Sequence, residues 1–280
     1  MNEQQIARRL GPRGRFSIGR TPNGFQLAYA LSRWQRHNLY CPETKRLFGF
    51  TAKAGCSTVA KLFFSGSGKH EETDYISWPH RYRLDYQKQC PAGIKSWMAP
   101  DVLKVKFVRD PFTRVVSSYT HVMRTKLIGH LAHAPYFKKN NINADFSFRD
   151  FIHWLETINL PLANPHIGTQ HFLLEGSAFR YDFIVRLEEL EKDLDVIRHA
   201  RGITLKVPGN ILNSRHHLTR QEGHHSFVGD APYSTLGITS SGKNAPPYWA
   251  FYNSELIRKV AKLFARDIQA YGYSNSPKTF

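Results

Sequence analysis

Residues 46–64 read RLFGFTAKAGCSTVAKLFF, and the texture changes twice along them. Arg46 to Thr51 (RLFGFT) is a short apolar run, which predicts a buried strand. Ala52 to Cys56 (AKAGC) is a turn built around a glycine, and Ser57 to Phe64 (STVAKLFF) reads as the start of a helix. The same order recurs further on. Leu103 to Val108 (LKVKFV) predicts a strand, after which Asp110-Pro111 supplies an N-cap and a proline at the first helical position. Phe112, Val115, Tyr119 and Val122 then recur at helical spacing. A third copy starts at Tyr181 to Leu187 (YDFIVRL) and continues into Glu188 to Ala200 (EELEKDLDVIRHA), a helix stopped at Gly202. Strand followed by helix, three times over, predicts an α/β fold with a central parallel sheet flanked by helices.

Two further helices complete the outline. Ser147 to Ile158 begins with a capping box, Ser147 and Asp150, and carries an apolar stripe of Phe148, Ile152 and Leu155. Ser254 to Tyr271 predicts one long helix with Leu256, Val260, Leu263, Phe264 and Ile268 on its core face and Gly272 as its stop. Ahead of the first unit, residues 1–40 hold seven arginines, no lysine and a single acid, Glu3. Glycines and prolines break the first half of that stretch, so it reads as a basic arm followed by a short helix in which Leu27, Ala30, Leu31 and Trp34 share a face. The expected organisation is an arm over 1–40 and a single domain over 41–280.

The chain has 280 residues, 41% of them hydrophobic, enough to bury a substantial core. Its net charge of +17 calls for an anionic partner: a nucleotide, a nucleic acid, an acidic membrane face or an acidic glycan. No apolar run is long enough for a membrane span or a secretory signal, which makes a cytoplasmic protein the expectation. Cys41, Cys56 and Cys90 form no CxxC and leave an odd count, against a disulfide framework or a structural zinc.

In a parallel sheet the chemistry belongs at the carboxyl ends of the strands, hence at the turns after Thr51 and Val108. The first turn, Lys53-Ala54-Gly55-Cys56-Ser57-Thr58, combines a cation, a permissive glycine, two hydroxyls and a helix N-terminus. Free backbone N–H groups and the positive helix end favour a phosphate or sulfate there. It resembles a phosphate loop in its physics, although the lysine precedes the glycine and the GxxxxGK[ST] spacing is absent. The second turn pairs Arg109 at a strand end with Ser117 two turns into the next helix, a guanidinium and a hydroxyl able to grip a second anion. An ion pair of Arg109 with Asp110 or another acid is the plain structural alternative. Two anion sites on one sheet edge suggest a ligand with phosphates at both ends.

From about Lys45 to Tyr273 the sequence resembles the carbohydrate sulfotransferases that use 3′-phosphoadenosine 5′-phosphosulfate (PAPS). Lys53 to Thr58 resembles that family's 5′-phosphosulfate loop. Val108-Arg109-Asp110-Pro111-Phe112-Thr113-Arg114-Val115-Val116-Ser117-Ser118-Tyr119 is very close to its 3′-phosphate signature, in which the arginine and the serine eight residues later bind the phosphate. Asn164 to Gln170 (NPHIGTQ) resembles a histidine-containing segment near the acceptor, Phe183 to Leu190 the strand-to-helix turn after it, and Asp267 to Tyr273 (DIQAYGY) the closing helix. Val59 stands where the family often has an aromatic residue, and the GxxGxxK segment of the small-molecule branch is missing.

The resemblance implies in-line transfer of a sulfuryl group from PAPS to a hydroxyl of a carbohydrate or glycolipid, with no metal required. Lys53 is the candidate for stabilising the bridging oxygen, and Ala54, Gly55, Cys56, Ser57 and Thr58 for cradling the phosphosulfate. Arg109 and Ser117 are candidates for the 3′-phosphate. Arg215 is a candidate to close over the phosphosulfate or to bind an acidic acceptor, both ranking below a plain surface role. For the base, His80 lies between the two donor motifs and His166 is next; His121 shares the helix of Ser117, and His153 falls on a polar face. A nucleophilic role for Cys56 ranks below packing. His216-His217 and His224-His225 read as solvated rather than as a metal site. A tyrosyl peptide or small metabolite is the alternative acceptor, and a basic nucleotide- or polyanion-binding protein without catalysis is the alternative class. Nucleic acid is not expected, because the arginines concentrate in the arm and the aromatics follow core periodicity. The arm suits a peripheral contact with an acidic membrane face.

Overall fold

A computed structural model of the chain describes residues 24–67, 79–90, 92–125, 135–201, 226–239 and 244–277. Four strands form one sheet in the order β1 (Asn38–Cys41), β2 (Arg46–Gly49), β3 (Leu103–Val108) and β4 (Phe183–Arg186). β2, β3 and β4 are parallel, as the repeated strand-helix units predict, with Phe48 opposite Val105 and Val105 opposite Phe183. The α/β class with a mainly parallel sheet is therefore the observed one. The helices are α1 (Gly24–Gln35), α2 (Cys56–Gly66), α3 (Pro79–Gln89), α4 (Pro111–Met123), α5 (Phe148–Leu155), α6 (Leu190–Arg201), α7 (Ser254–Leu263) and α8 (Ala265–Tyr271), with shorter ones at Ile94–Trp97 and Pro135–Lys139.

Alternation along the strands sends successive side chains to opposite faces. Leu39, Phe48, Val105, Phe107 and Val185 pack with Val59, Leu62 and Phe63 of α2, Tyr86 of α3 and Leu194 and Ile197 of α6. Tyr40 and Leu47 pack on the other side with Trp34 of α1 and Trp97. A separate cluster joins Phe112, Tyr119, Phe148, Phe151, Leu256, Phe264 and Ile268, so α4, α5, α7 and α8 share a core beside the sheet. Each fully buried aromatic or aliphatic side chain contributes about 1.5–3 kcal/mol.

Three expectations are corrected. β1 is an additional strand, antiparallel to β2. All four of its residues are buried, and a four-residue strand buried on both sides shows no alternation to read. The long helix over 254–271 is two helices, broken at Phe264, whose φ of −111° and ψ of 22° turn the chain; its ring is buried there. The helix after β4 opens with a 3₁₀ turn at Leu187–Glu189 before α6 begins.

The local signals at the other ends hold. Asp110 caps α4, its carboxylate accepting from Thr113 N at 2.9 Å with Pro111 at the first position. Ser147 and Asp150 form the capping box of α5, and Gly272, in the left-handed region, ends α8. The basic arm before residue 24, Gly202, Arg215, His216-His217 and His224-His225 lie outside the described residues.

Candidate functional site

Because β2 and β3 are parallel neighbours, the turns that leave them open on the same sheet edge. The first is closed on itself at Thr51, whose carbonyl accepts from Ala54 N (3.1 Å) and from the Cys56 thiol (3.2 Å). Cys56 thus packs within the turn. Lys53 and Gly55 both adopt left-handed backbone, at φ 66° and 70°, the kind of backbone from which anion-binding turns are built. Glycine is favoured at 55 on two counts, its left-handed backbone and the Leu187 side chain, whose Cδ1 would lie 2.5 Å from a Cβ there. A left-handed lysine is uncommon, and such strain, of order 1 kcal/mol or more, gathers at functional sites. Gly55 starts α2 with no side-chain cap and no acid in the first turn, so the first N–H groups of α2 suit an external acceptor. Burial holds the Lys53 ammonium down at about 8; neighbouring Arg109 adds to this, while Cys56 and Tyr248 oppose it.

The second turn is built differently. Asp110 occupies the helix end, and the Asp110 N–H donates to Glu188 Oε1 at 2.9 Å. Arg109 reaches back across the edge: Nη1 donates to Lys53 O (3.2 Å) and Nη2 to Tyr248 Oη (2.6 Å), with the guanidinium over the Tyr248 ring. Arg109 is therefore not paired directly with Asp110. Burial alone would lower its pKa, but Tyr248, Glu188 and Asp110 outweigh burial and raise it. A guanidinium has five donors, and these two bonds occupy two of them. Ser117 is buried on α4.

A set of buried polar groups ties the two turns together. Gln170 clasps the backbone of Arg109, its Oε1 accepting from Arg109 N (2.9 Å) and its Nε2 donating to Arg109 O (2.7 Å). Asp267 of α8, fully buried, accepts from Gln170 N and His171 N, both at 2.8 Å. The bend at Phe264 gives α8 its own direction beneath this segment. Arg114, also fully buried, donates to Ala52 O (3.1 Å), Gly168 O (2.7 Å) and Pro165 O (2.9 Å), spanning from the first turn to the histidine-containing segment. Behind them Lys106 and Glu175 form a buried pair at 3.2 Å, with Tyr271 donating to Glu175 at 2.9 Å.

A model of the sulfotransferase family matches residues 36–274. The chain belongs to the sulfotransferase family. It is 25% identical to carbohydrate sulfotransferase 14 of Danio rerio over 216 residues, which is 71% of this chain and 59% of that protein's length. The sulfotransferase match begins ahead of β1 and ends just beyond Gly272, so it takes in the sheet, both turns and α8.

Within this sulfotransferase framework the candidate histidines separate. His80, at the start of α3, is exposed, and its Nε2 lies 3.0 Å from Ser57 Oγ, so α3 brings it to the mouth of the first turn. His166 lies deeper. Asn164 Oδ1 accepts from its backbone N (3.0 Å) and from Nδ1 (2.9 Å), which assigns the ring proton to Nδ1 and leaves Nε2 as an acceptor. Its ring stacks on His121 at 4.5 Å. Burial, helped by His121, Lys53, His37 and Arg114, drives its pKa down to about 3. His153 is placed 3.7 Å from Glu255 rather than simply solvated. Gln170, Asp267, Arg114 and Tyr248 were given no role by sequence; each acts through a partner at least 50 residues away or through a backbone carbonyl, and no local spacing marks such a partner. Among the described residues no cluster of His, Cys, Asp and Glu is placed to hold a metal ion, and no helix is long and apolar enough to cross a membrane.

Proposed function

We propose that the protein transfers the sulfuryl group of PAPS to a hydroxyl of a carbohydrate or glycolipid. The observation that carries this reading is the uncapped, cationic end of α2 with Arg109 brought beside Lys53, in a chain of the sulfotransferase family. The donor set fits a nucleotide anionic at both ends. Lys53, Gly55, Ser57, Thr58 and the first N–H groups of α2 take the 5′-phosphosulfate; Arg109 and Ser117 take the 3′-phosphate. PAPS supplies the sulfuryl group. The acceptor oxygen bonds to sulfur as the bond from sulfur to the bridging phosphate oxygen breaks, and that oxygen keeps the electron pair. Lys53 neutralises the charge it gains, a contribution of the kind worth about 10²–10³ in rate. The acceptor proton passes to His80, which is exposed at the mouth of the turn with its Nε2 beside Ser57 Oγ. His166, unprotonated at neutral pH and weakly basic, serves as a neutral acceptor beside Lys53.

The carbohydrate acceptor follows the name of the zebrafish relative and the resemblance of the two motifs. The free cysteines among the described residues fit a reducing, cytoplasmic setting. The basic arm suits an acidic acceptor or the inner membrane face.

Thermal-shift titration with adenosine 3′,5′-bisphosphate, ATP and duplex DNA tests the donor. The bisphosphate should stabilise most, and Arg109→Ala should remove most of that effect; equal stabilisation by DNA would favour a polyanion-binding protein instead. Labelled PAPS with a panel of glycans, glycolipids and tyrosyl peptides tests the acceptor. His80→Ala should abolish transfer while bisphosphate binding survives, and retained transfer would move the base to His166.

A further inference from the structure

Residues 248–252 meet the second turn at two points. Tyr252 is the anchor: its buried ring packs edge-on against Phe112 at 5.5 Å, and its hydroxyl donates to Phe112 O at 2.8 Å. Ala250 and Phe251, also buried, belong to the single 3₁₀ turn at Tyr248–Phe251, and Ala250 O accepts from Val228 N at 2.8 Å. Tyr248 begins that turn and is half-buried. Its hydroxyl accepts from Arg109 Nη2 at 2.6 Å, and the guanidinium carbon lies 5.2 Å from its ring centroid. A short, pinned turn thus holds one phenol against the arginine by both its oxygen and its ring. Among the described residues the Arg109 side chain has one other acceptor, Lys53 O at 3.2 Å. Both acceptors are neutral. The carboxylates of this turn are engaged elsewhere, Asp110 with Thr113 N and Glu188 with Asp110 N and the Tyr273 hydroxyl.

We propose that Tyr248 is a positioning residue for the 3′-phosphate, and that its contact with Arg109 sets the preference for a nucleotide phosphorylated at both ends over one phosphorylated at 5′ alone. The inference rests on the donor assignment above and adds the residue that makes its second anion site selective. A long side chain that must be immobilised as the ligand arrives weakens binding, and one fixed beforehand does not. Tyr248 and Lys53 O fix the guanidinium beforehand. Because both are neutral, the arginine keeps its charge for the phosphate; a carboxylate in place of the phenol would hold it as firmly and neutralise it. The ring contact acts in the same direction, since the face of an aromatic ring attracts a cation. The 5′ end of the nucleotide is assigned to a different element, the start of α2, so a change at Tyr248 should register at the 3′ end.

The test uses the full chain and two nucleotides that differ by one group, adenosine 3′,5′-bisphosphate and adenosine 5′-monophosphate, each titrated calorimetrically. The parent should bind the bisphosphate at least about tenfold more tightly, the effect of one charge-assisted hydrogen bond. Tyr248→Phe keeps the ring and loses the hydroxyl, and should cut that preference about fivefold. Tyr248→Leu loses both and should cut it about tenfold or more. Monophosphate affinity should stay within about twofold in both variants, whereas a merely structural role would weaken the two nucleotides alike. In an Arg109→Ala background Tyr248→Phe should change nothing further. An unchanged preference in Tyr248→Leu, or an equal loss for both nucleotides, would overturn the proposal. So would tighter bisphosphate binding by Tyr248→Phe, which would make the hydroxyl a competitor of the phosphate. A melting temperature several degrees lower in Tyr248→Phe would assign the phenol to the fold instead of the site, with the same consequence. A parent that binds the two nucleotides equally is a separate result: it counts against the donor assignment itself and removes the proposal with it.

Discussion

The turn that leaves β2 and the turn that leaves β3 stand side by side, each running from a parallel strand into a helix, and they end in opposite ways. α2 begins at Gly55 with no cap, beside a half-buried lysine. α4 begins at Asp110, whose carboxylate already occupies the helix end. The first turn leaves its positive end without a side-chain cap, whereas the second satisfies its own and sends its arginine sideways to Lys53 O and Tyr248. On the proposed function, one helix end binds and the other braces. A strand-turn-helix unit thus becomes a site through the absence of a cap, and the capped neighbour adds its cation from outside.

The strongest way to break this contrast is at the lysine. Lys53→Met should lower transfer about 10²–10³-fold with the fold intact, measured as single-turnover rate at saturating donor; a loss under tenfold would mean that the uncapped helix end alone does the work. The next effect lies in the brace. Gln170→Leu removes the clasp on the Arg109 backbone, and misplacement of a positioning group costs up to about 10²-fold in rate. Because Gln170 acts through Arg109, a double variant with Arg109→Ala should bind bisphosphate no worse than Arg109→Ala alone; full additivity would separate the two residues.

A smaller effect comes from pH. The folded Lys53 titrates at about 8, below its ordinary 10.5, because burial disfavours the charge. Bisphosphate affinity should therefore fall above pH 8, by up to about tenfold per unit, as the ammonium loses its proton. The stability of the ligand-free protein carries the opposite sign. Between about pH 8 and 10.5 the unfolded chain holds this proton and the folded one does not, so the Lys53 contribution to stability rises with pH. Lys53→Met should flatten both trends, by calorimetric titration and by thermal denaturation across that window.

What the sequence shows of these two regions follows the range of the forces involved. The caps at Asp110 and Ser147, the stop at Gly272 and the strand-turn-helix units are settled within a few residues, and they are readable as such. So is the cationic glycine turn at 53–58. Gln170 and Asp267 are ordinary polar residues until the fold sets them 61 and 97 residues away from their partners. Arg114 looks like one more charge on a helix, and only its three carbonyl partners explain why it is fully buried. The break at Phe264 was unreadable for a related reason: the apolar stripe continues through it, and tertiary packing turns the chain where helical period does not.

The smallest expected effect is at the brace's own cap, and it is the cleanest test of whether the two turns differ in kind. Asp110→Ala removes the acceptor of Thr113 N and should cost about 1 kcal/mol of stability, as for other N-caps. If α4 serves only as a brace, that cost appears in chemical denaturation and bisphosphate affinity changes by less than about twofold, since Arg109 is fixed by Gln170, Lys53 O and Tyr248 rather than by Asp110. Inorganic sulfate should then restore no more stability to the variant than to the parent, because Glu188 already accepts from the Asp110 backbone at that helix end and repels an anion. Selective stabilisation of the variant by sulfate would show that the second helix end, once uncapped, binds anions as the first does. The difference between the turns would then reduce to a single carboxylate.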